Sequence, residues 1–331
     1  MLRFVILVCL MAVAMGLPTR TKEEIESFRQ FLLNTRLSSE TTFEETMQQR
    51  PWASAWENSG KFEGDIVVTD EDIESLVNDF AGISSRTAVA NRGRTWPGST
   101  LVFEFAGHNG NEQNQIRGIM GMYEEHTCVR FRQRGQEHDH IRITNHGDGC
   151  YAHVGYYQNM GAHIHNLAPN GCMHGGIIFH EFGHNVGFQH MHQARPRYEW
   201  VSINWHNIQG GTEGNFNLLS EAYGDMLGLP YEYASNQHYS AYAFSHNGQP
   251  TIVALRDGGH EMGQLDYITG WDMLRIRRLY NCPGAWSEDV NMEDLNKPAV
   301  YIPSNEELQI RGAKFAEELE RRSQMEQEAQ V

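Results

Sequence analysis

No long apolar run follows residue 14 of this 331-residue chain. That excludes a membrane-spanning helix in the body of the protein, since a span takes about 20 apolar residues. Positive charge is scarce as well: 26 Lys and Arg stand against 42 Asp and Glu, a formal net charge of −16. Nucleic acids and anionic membrane surfaces are recognised through basic faces, so neither is expected as a partner. There is no CxxC pair, which disfavours a cysteine-ligated zinc. There is no Asn-x-Ser/Thr sequon and no internal repeat. Wholesale disorder is excluded too, because 40% hydrophobic and 21% charged residues make an ordinary globular composition on a chain long enough for a sizeable core.

What the chain does have begins at its amino terminus. Arg3 precedes an apolar run from Phe4 to Ala14, and the small residues Ala14 and Gly16 sit at the −3 and −1 positions of a cleavage site. This is the layout of a secretory signal peptide over residues 1–16, too short to span a bilayer, and it predicts a secreted, extracellular product. Of five cysteines, Cys9 falls in that leader. Cys128, Cys150, Cys172 and Cys282 remain, an even number that predicts two disulfides in an oxidising compartment. Spacing alone leaves all three pairings open.

Residues 17–86 differ in character from the rest of the chain. They contain no cysteine and carry acidic, helix-like stretches at Lys22–Leu33 and Asp70–Phe80. Thr69 or Asp70 is placed to cap the second. The region ends at Ser85-Arg86, a basic site for a trypsin-like processing protease, which predicts a cleavable pro-segment. From Trp96-Pro97 the pattern is mixed. Strands are expected at Thr100–Phe105, Cys128–Phe131, Ile141–Thr144 and Tyr151–Val154. Helices are expected at Gln113–Glu125, Gly175–Val186 and Trp271–Tyr280. Residues 206–260, rich in Gly, Asn and Tyr, read as mostly irregular. Strands, a central helix and then irregular chain predict an α+β fold with the helix backing a sheet. Residues 283–331 form a charged C-terminal tail in which Asn305–Gln330 reads as a solvated helix or a disordered segment.

The chemistry concentrates in His180-Glu181-Phe182-Gly183-His184-Asn185-Val186-Gly187-Phe188-Gln189-His190. On a helix, positions i and i+4 share a face, so His180 and His184 can offer imidazole nitrogens to one metal ion. Glu181 lies about 100° further round, beside that metal without being a ligand, where a general base must sit. Gly187 can end the helix in a left-handed conformation and turn the chain so that His190 arrives as a third ligand. Three neutral nitrogens suit zinc and leave room for water and substrate. HExxH alone arises by chance in somewhat under about one chain in ten of this composition, but Gly187 and His190 at fixed offsets lower that to roughly a few in ten thousand. The motif is therefore signal. The pairs His138-x-His140, His163-x-His165 and His190-x-His192 carry little weight as second metal sites, and His192 is expected at the surface or on a cleft wall.

HEFGHNVGFQH resembles the extended zinc motif of the metzincin metallopeptidases, and its surroundings resemble the astacin family. The resemblance is carried by Gly171-Cys172-Met173-His174-Gly175-Gly176-Ile177-Ile178, Val201-Ser202-Ile203-Asn204-Trp205, Tyr231 to Tyr239, Ala243-Phe244-Ser245, Met262-Gly263-Gln264 and Leu279-Tyr280-Asn281-Cys282. Phe62-Glu63-Gly64-Asp65 is similar to the family's FxGD pro-segment motif. In all it covers about residues 60 to 282. It implies a metzincin-type catalytic domain over residues 87–282, its two subdomains split by a cleft, with a central zinc-binding helix at the floor and a twisted N-terminal sheet. It implies a secreted zinc metalloendopeptidase that is made as a zymogen, binds one Zn²⁺ per chain and cleaves protein or peptide substrates. Glu181 would be the general base and Tyr239 a further, movable zinc ligand that also binds the tetrahedral intermediate. Asp65 would be the ligand that blocks the metal in the latent form. Cleavage after Arg86 by an activating trypsin-like protease would make Thr87 the mature N-terminus. The disulfides would be Cys128–Cys282 and Cys150–Cys172.

Three departures from the family pattern stand out. Gln237 replaces the usual methionine beneath the zinc, so an apolar floor becomes a polar amide that must find partners or cost about 1–3 kcal/mol. Met191 replaces the glutamate that helps anchor the new N-terminus. Ala194, Pro196 and Tyr198 partly replace the usual arginine and acidic positions. They feed the competing expectation, a catalytically weak or inactive relative that serves as a binding protein.

Overall fold

A computed structural model describes residues 20–37, 42–82, 91–218, 225–287, 295 and 298–328. The expected leader and the Arg86–Thr87 processing site lie outside the described residues. In chain order the helices are α1 (Lys22–Asn34), α2 (Phe43–Gln49), α3 (Asp70–Phe80), α4 (Gly110–His126), α5 (Gly175–Val186), α6 (Gly270–Leu279) and α7 (Asn305–Glu328). The strands are β1 (Ile66–Val67), β2 (Thr100–Ala106), β3 (Arg130–Gln133), β4 (His140–Thr144), β5 (Cys150–His153), β6 (Ala162–Leu167), β7 (Val201–Ile203), β8 (Ile252–Ala254), β9 (Tyr267–Thr269) and β10 (Pro298–Tyr301).

Local chemistry accounts for the helix starts. Capping boxes open α1 (Thr21 with Glu24), α2 (Thr42 with Glu45), α3 (Thr69 with Asp72) and α4 (Asn109 with Glu112). Each reciprocally satisfies two backbone N–H groups that a helix start leaves unpaired. Six strands form one sheet in the order β1-β5-β6-β4-β2-β3. Only the β5–β6 pair is antiparallel. The α+β expectation holds, with α4 and α5 packed together and α5 lying against β5 and β6. A large core runs through the sheet and α4–α6, and a smaller one joins α1 and α3 through Phe28, Leu32, Ile73, Leu76 and Val77. No helix among the described residues is long and apolar enough to cross a membrane.

Both disulfides implied by the resemblance are present. Cys128–Cys282 joins the chain before β3 to the end of α6, and Cys150–Cys172 joins β5 to the approach to α5.

Two sequence expectations fail. Strand β6 was not expected, although it lies between β5 and β4 at the middle of the sheet. Its sequence, AHIHNL, buries His163, His165 and Asn166, so no polar–apolar alternation marks it. Hydrogen bonds offset that burial: Asn166 Nδ2 donates to the carbonyls of His146 and Gly149.

The second concerns the tail, whose expected helix forms but is not left free in solvent. Asn305–Glu328 is neither disordered nor simply solvated, for α7 docks along α4 with Leu308 and Leu319 buried. Glycines permit the approach: a methyl at Gly312 would lie 1.7 Å from the Asn114 carbonyl oxygen, and one at Gly118 2.4 Å from that of Leu308. Arg322 pairs with Glu124 at 2.9 Å, Gln115 donates to Asn305 at 2.9 Å, and β10 pairs with β9. Burying a leucine contributes roughly 1.5–3 kcal/mol, more than the solvated charges alone would.

Candidate metal centre

Helix α5 positions the site. It is buried over its whole length, and its two N-terminal glycines are needed because neighbours crowd them. A methyl at Gly176 would sit 2.2 Å from the Leu265 carbonyl oxygen, and one at Gly175 2.5 Å from a methyl of Ile302. The carbonyls at its far end are satisfied from outside: Trp96 Nε1 donates to Asn185 and Tyr280 Oη to Val186. Gly187, at φ +124°, ends the helix and turns the chain toward His190.

His180, His184, His190 and Asp65 converge, all buried, with their ligand atoms within 4.8 Å of one another. Asp65 Oδ2 lies 3.0 Å from His180 Nε2, 3.4 Å from His184 Nε2 and 3.3 Å from His190 Nε2, and the Nε2 atoms of His180 and His190 are 3.2 Å apart.

The outer nitrogens fix the proton positions. His180 Nδ1 is 2.7 Å from the Asn236 carbonyl, and His184 Nδ1 is 2.8 Å from that of Phe188. A carbonyl only accepts, so both Nδ1 atoms carry hydrogen and both Nε2 atoms present lone pairs inward. At His190 the carboxylate of Glu63 takes the same place, 2.7 Å from Nδ1. Lone pairs facing each other at such distances repel unless a cation lies between them. A tetrahedral zinc with bonds of about 2.0–2.1 Å needs donor separations near 3.3 Å, so the donor set fits that ion in both spacing and chemistry.

The electrostatics agree. Burial holds His180 and His190 well below the usual histidine range and lowers His184, so all three are neutral imidazoles. Burial also pushes three carboxyls well up: Asp65, with Glu57 adding repulsion, and Glu63 and Glu181, each with Asp65 adding to it. A divalent cation among these donors supplies the opposite charge the carboxylates otherwise lack. Neither oxygen of Glu181 has a hydrogen-bond partner among the described residues, nor does His184 Nε2 or Asp65 Oδ1.

Residues the sequence did not single out complete the surroundings. Trp56 stacks on His180 with ring centres 4.2 Å apart and lies 5.1 Å from His190. Glu63 holds His190; its only sequence signal was its place beside Asp65. Tyr239 lies beside the group, its ring centre 4.7 Å from that of His190. Its hydroxyl donates to the Glu63 carbonyl oxygen at 2.7 Å. Its ring stacks on His192 at 3.8 Å, and His192 is fully buried rather than at a surface or cleft wall, its Nε2 2.9 Å from the Asn215 carbonyl.

Gln237 finds half of the partners it needs. Its Nε2 donates to the His180 carbonyl at 2.8 Å, while its buried Oε1 has none among the described residues. Met191 is buried, its N–H donating to the Gln237 carbonyl at 2.9 Å. In the other two histidine pairs, His163 Nε2 accepts from the Tyr157 N–H, His165 Nδ1 lies 2.6 Å from Asn185 Oδ1, and His140 Nε2 faces Glu104 at 3.2 Å. Among the described residues no second group of metal-binding side chains forms.

Comparison with known proteins gives a consistent picture. The family model described as Astacin (Peptidase family M12A) matches residues 88–281. Zinc metalloproteinase nas-6 of Caenorhabditis elegans is 33% identical over 250 residues, covering 75% of this chain and 71% of the relative. Seminal metalloprotease 1 of Drosophila melanogaster is 36% identical over 212 residues, covering 61% and 83%. Among solved structures, high choriolytic enzyme 1, a hatching enzyme zinc-protease from Oryzias latipes, superposes with a TM-score of 0.52 at 33% identity, covering 57% of this chain and 93% of that one.

Proposed function

The chain belongs to the astacin family of zinc metalloendopeptidases, and from that premise we propose that it is an exported zymogen in which Asp65 occupies the catalytic position at the metal. Zinc is held by His180, His184 and His190, one ion per chain, where it supplies Lewis acidity toward a peptide carbonyl. The observation that carries this reading is the four-donor group, three imidazoles oriented through their Nδ1 atoms and one carboxylate from an N-terminal segment. Residues 1–16 act as the secretory leader, 17–86 as the pro-segment and 87–282 as the peptidase domain. The two disulfides fit an exported product.

Latency has several parts in this reading. Asp65 fills the position substrate needs. Glu63 braces His190, and Trp56 covers the rings of His180 and His190. The Glu63 carbonyl engages the Tyr239 hydroxyl in a hydrogen bond. Strand β1 occupies the edge of β5, pairing Ile66 with Ala152 and Val67 with His153. Cleavage after Arg86 by a trypsin-like protease lets this segment leave. Substrate then takes the β5 edge, and Tyr239 is free to hydrogen-bond its reacting carbonyl oxygen. Glu181 takes a proton from the attacking water onto its carboxylate and delivers it to the departing amine nitrogen.

Peptide cleavage by the full chain, before and after limited trypsin treatment, with and without a chelator, tests the reading. Activity is expected only after processing and only without chelator. The Asp65→Ala chain is expected to show activity before processing, below that of the processed enzyme because Trp56, Glu63 and β1 still fill the cleft. An Asp65→Ala precursor as silent as wild type would put latency elsewhere.

A further inference from the structure

Arg94 lies beyond the proposed processing site, so it stays with the enzyme when the pro-segment leaves. In the precursor it is nearly buried, 8% exposed, and among the described residues both carboxylates that reach it belong to the pro-segment. Asp72 forms an ion pair with Arg94 Nη1, and Glu71 Oε1 lies 3.5 Å from Nη2. The Asp72 carboxylate also accepts from Tyr157 Oη at 2.7 Å, and the Arg94 guanidinium lies 4.2 Å from the centre of the Tyr157 ring. A cation and a phenol donor thus converge on one carboxylate, with the phenol's ring packed against the cation.

Their place relative to the cleft matters. The chain from Asp65 through β1 runs along the edge of β5: the Asp65 carbonyl accepts from the Ala152 N–H, and Val67 pairs with His153. Three residues further along that edge the Tyr156 N–H donates to the Arg94 carbonyl at 2.8 Å, and the intervening Gly155 N–H donates to the His184 carbonyl at 2.8 Å. The Arg94–Tyr157 pair is therefore at the end of the track that leads from the metal group along β5, roughly five residues from it for an extended chain. Removing the pro-segment strips Arg94 of both carboxylates and leaves it facing that track. A poorly hydrated guanidinium in such a place favours a carboxylate ligand.

We propose that Arg94 and Tyr157 form a carboxylate-binding subsite of the processed enzyme, selecting peptides with an acidic side chain roughly five residues from the scissile bond. In the precursor Asp72 occupies that subsite, so the pro-segment is held at two places, the metal group and this pocket. The subsite rests on the zymogen reading.

The test walks a single glutamate outward from the scissile bond, on either side, through a set of fluorogenic peptides, each paired with its glutamine twin. The enzymes are processed wild type, Arg94→Lys and the double variant Asp72→Asn/Arg94→Gln, which removes both members of the precursor's buried pair so that neither charge is stranded. At one outlying position wild type is expected to prefer glutamate about tenfold in kcat/KM, equivalent to about 1.4 kcal/mol. That ratio should fall to near one in the double variant, lie between in Arg94→Lys, and shrink with added salt. Because the ratio is taken within each enzyme, a general loss of folding does not move it. Cleavage with no glutamate preference at any outlying position, or the same preference in all three enzymes, overturns the subsite alone. Processing that leaves every peptide uncleaved overturns the zymogen reading and the subsite with it.

Discussion

Gly312→Ala sets two effects against each other. In the interior of α7, alanine is favoured over glycine by about 1 kcal/mol from helix propensity alone, so an undocked tail would gain stability. The structure reverses the sign. The added methyl would lie 1.7 Å from the Asn114 carbonyl oxygen, whereas carbon–oxygen contacts settle near about 3.3 Å, so α7 must retreat by roughly 1.5 Å. A gap of even about 0.5–1 Å forfeits a quarter to a half of each contact's attraction. Leu308 and Leu319 depend on those contacts, and each is worth roughly 1.5–3 kcal/mol when buried. Overpacking costs about 1–3 kcal/mol and the loosened leucines roughly as much again, so even after the gain of about 1 kcal/mol from helix propensity the net change is a loss of at least about 1 kcal/mol. Thermal unfolding of the full chain reads it as a midpoint lowered by roughly 2 °C or more. Gly121→Ala is the control. It sits on the same helix pair, but its methyl would meet Phe315 at 3.7 Å, an ordinary contact, so it should be neutral or slightly stabilising. A Gly312→Ala chain as stable as wild type, or more so, would refute the docked α7. The stakes reach the metal site, because Ile302 and Leu308 pack against Gly175 at the start of α5.

Buried polar groups offer further tests. Gln237→Met gives up one hydrogen bond to His180, worth about 1 kcal/mol, and removes an unpaired buried oxygen that costs about 1–3 kcal/mol. The thermal midpoint and zinc retention under chelator challenge should rise or hold, and a fall in both would mean that the glutamine oxygen is satisfied in solution. Glu232 is pushed up to about 8 by burial and by Asp272, which shares the Arg275 guanidinium with it. Its folded value lies above its unfolded one, so its contribution is fully present below about pH 4.5 and is lost as pH rises toward 8. Glu232→Gln should flatten that decline, by at most about 1.4 kcal/mol per pH unit, in denaturant titrations run across pH 5–8. Parallel pH profiles for the two chains would show that Glu232 is ionised in the folded state.

The site was more legible than the fold around it. Histidines four apart on a buried helix, a glycine to end it and a third histidine on the turn are local features, and local geometry carried them into place. Asp65 was legible only through the resemblance, since nothing in its neighbourhood announces a contact across 115 residues. Its companions Trp56 and Glu63 act through that same long-range docking and looked ordinary in sequence. Strand β6 escaped notice because its buried side chains are histidines and an asparagine, whose burial depends on hydrogen-bond partners from elsewhere. The tail was misread for a related reason: its charges are real, but Gly118 and Gly312 let two helices meet at backbone distance, and a glycine in a charged helix gives no hint of its partner. His192 obeyed the same rule, reading as exposed beside the motif when Tyr239 in fact stacks upon it.

At the centre of the proposed function is a three-histidine zinc site in which Glu181 moves the proton. Glu181→Gln, processed after Arg86, tests that role directly through metal content and peptide turnover in one preparation. One zinc per chain is expected, with turnover lowered by about 10²–10⁴-fold, the usual contribution of a general acid–base. Zinc retained with turnover close to wild type would contradict the role given to Glu181.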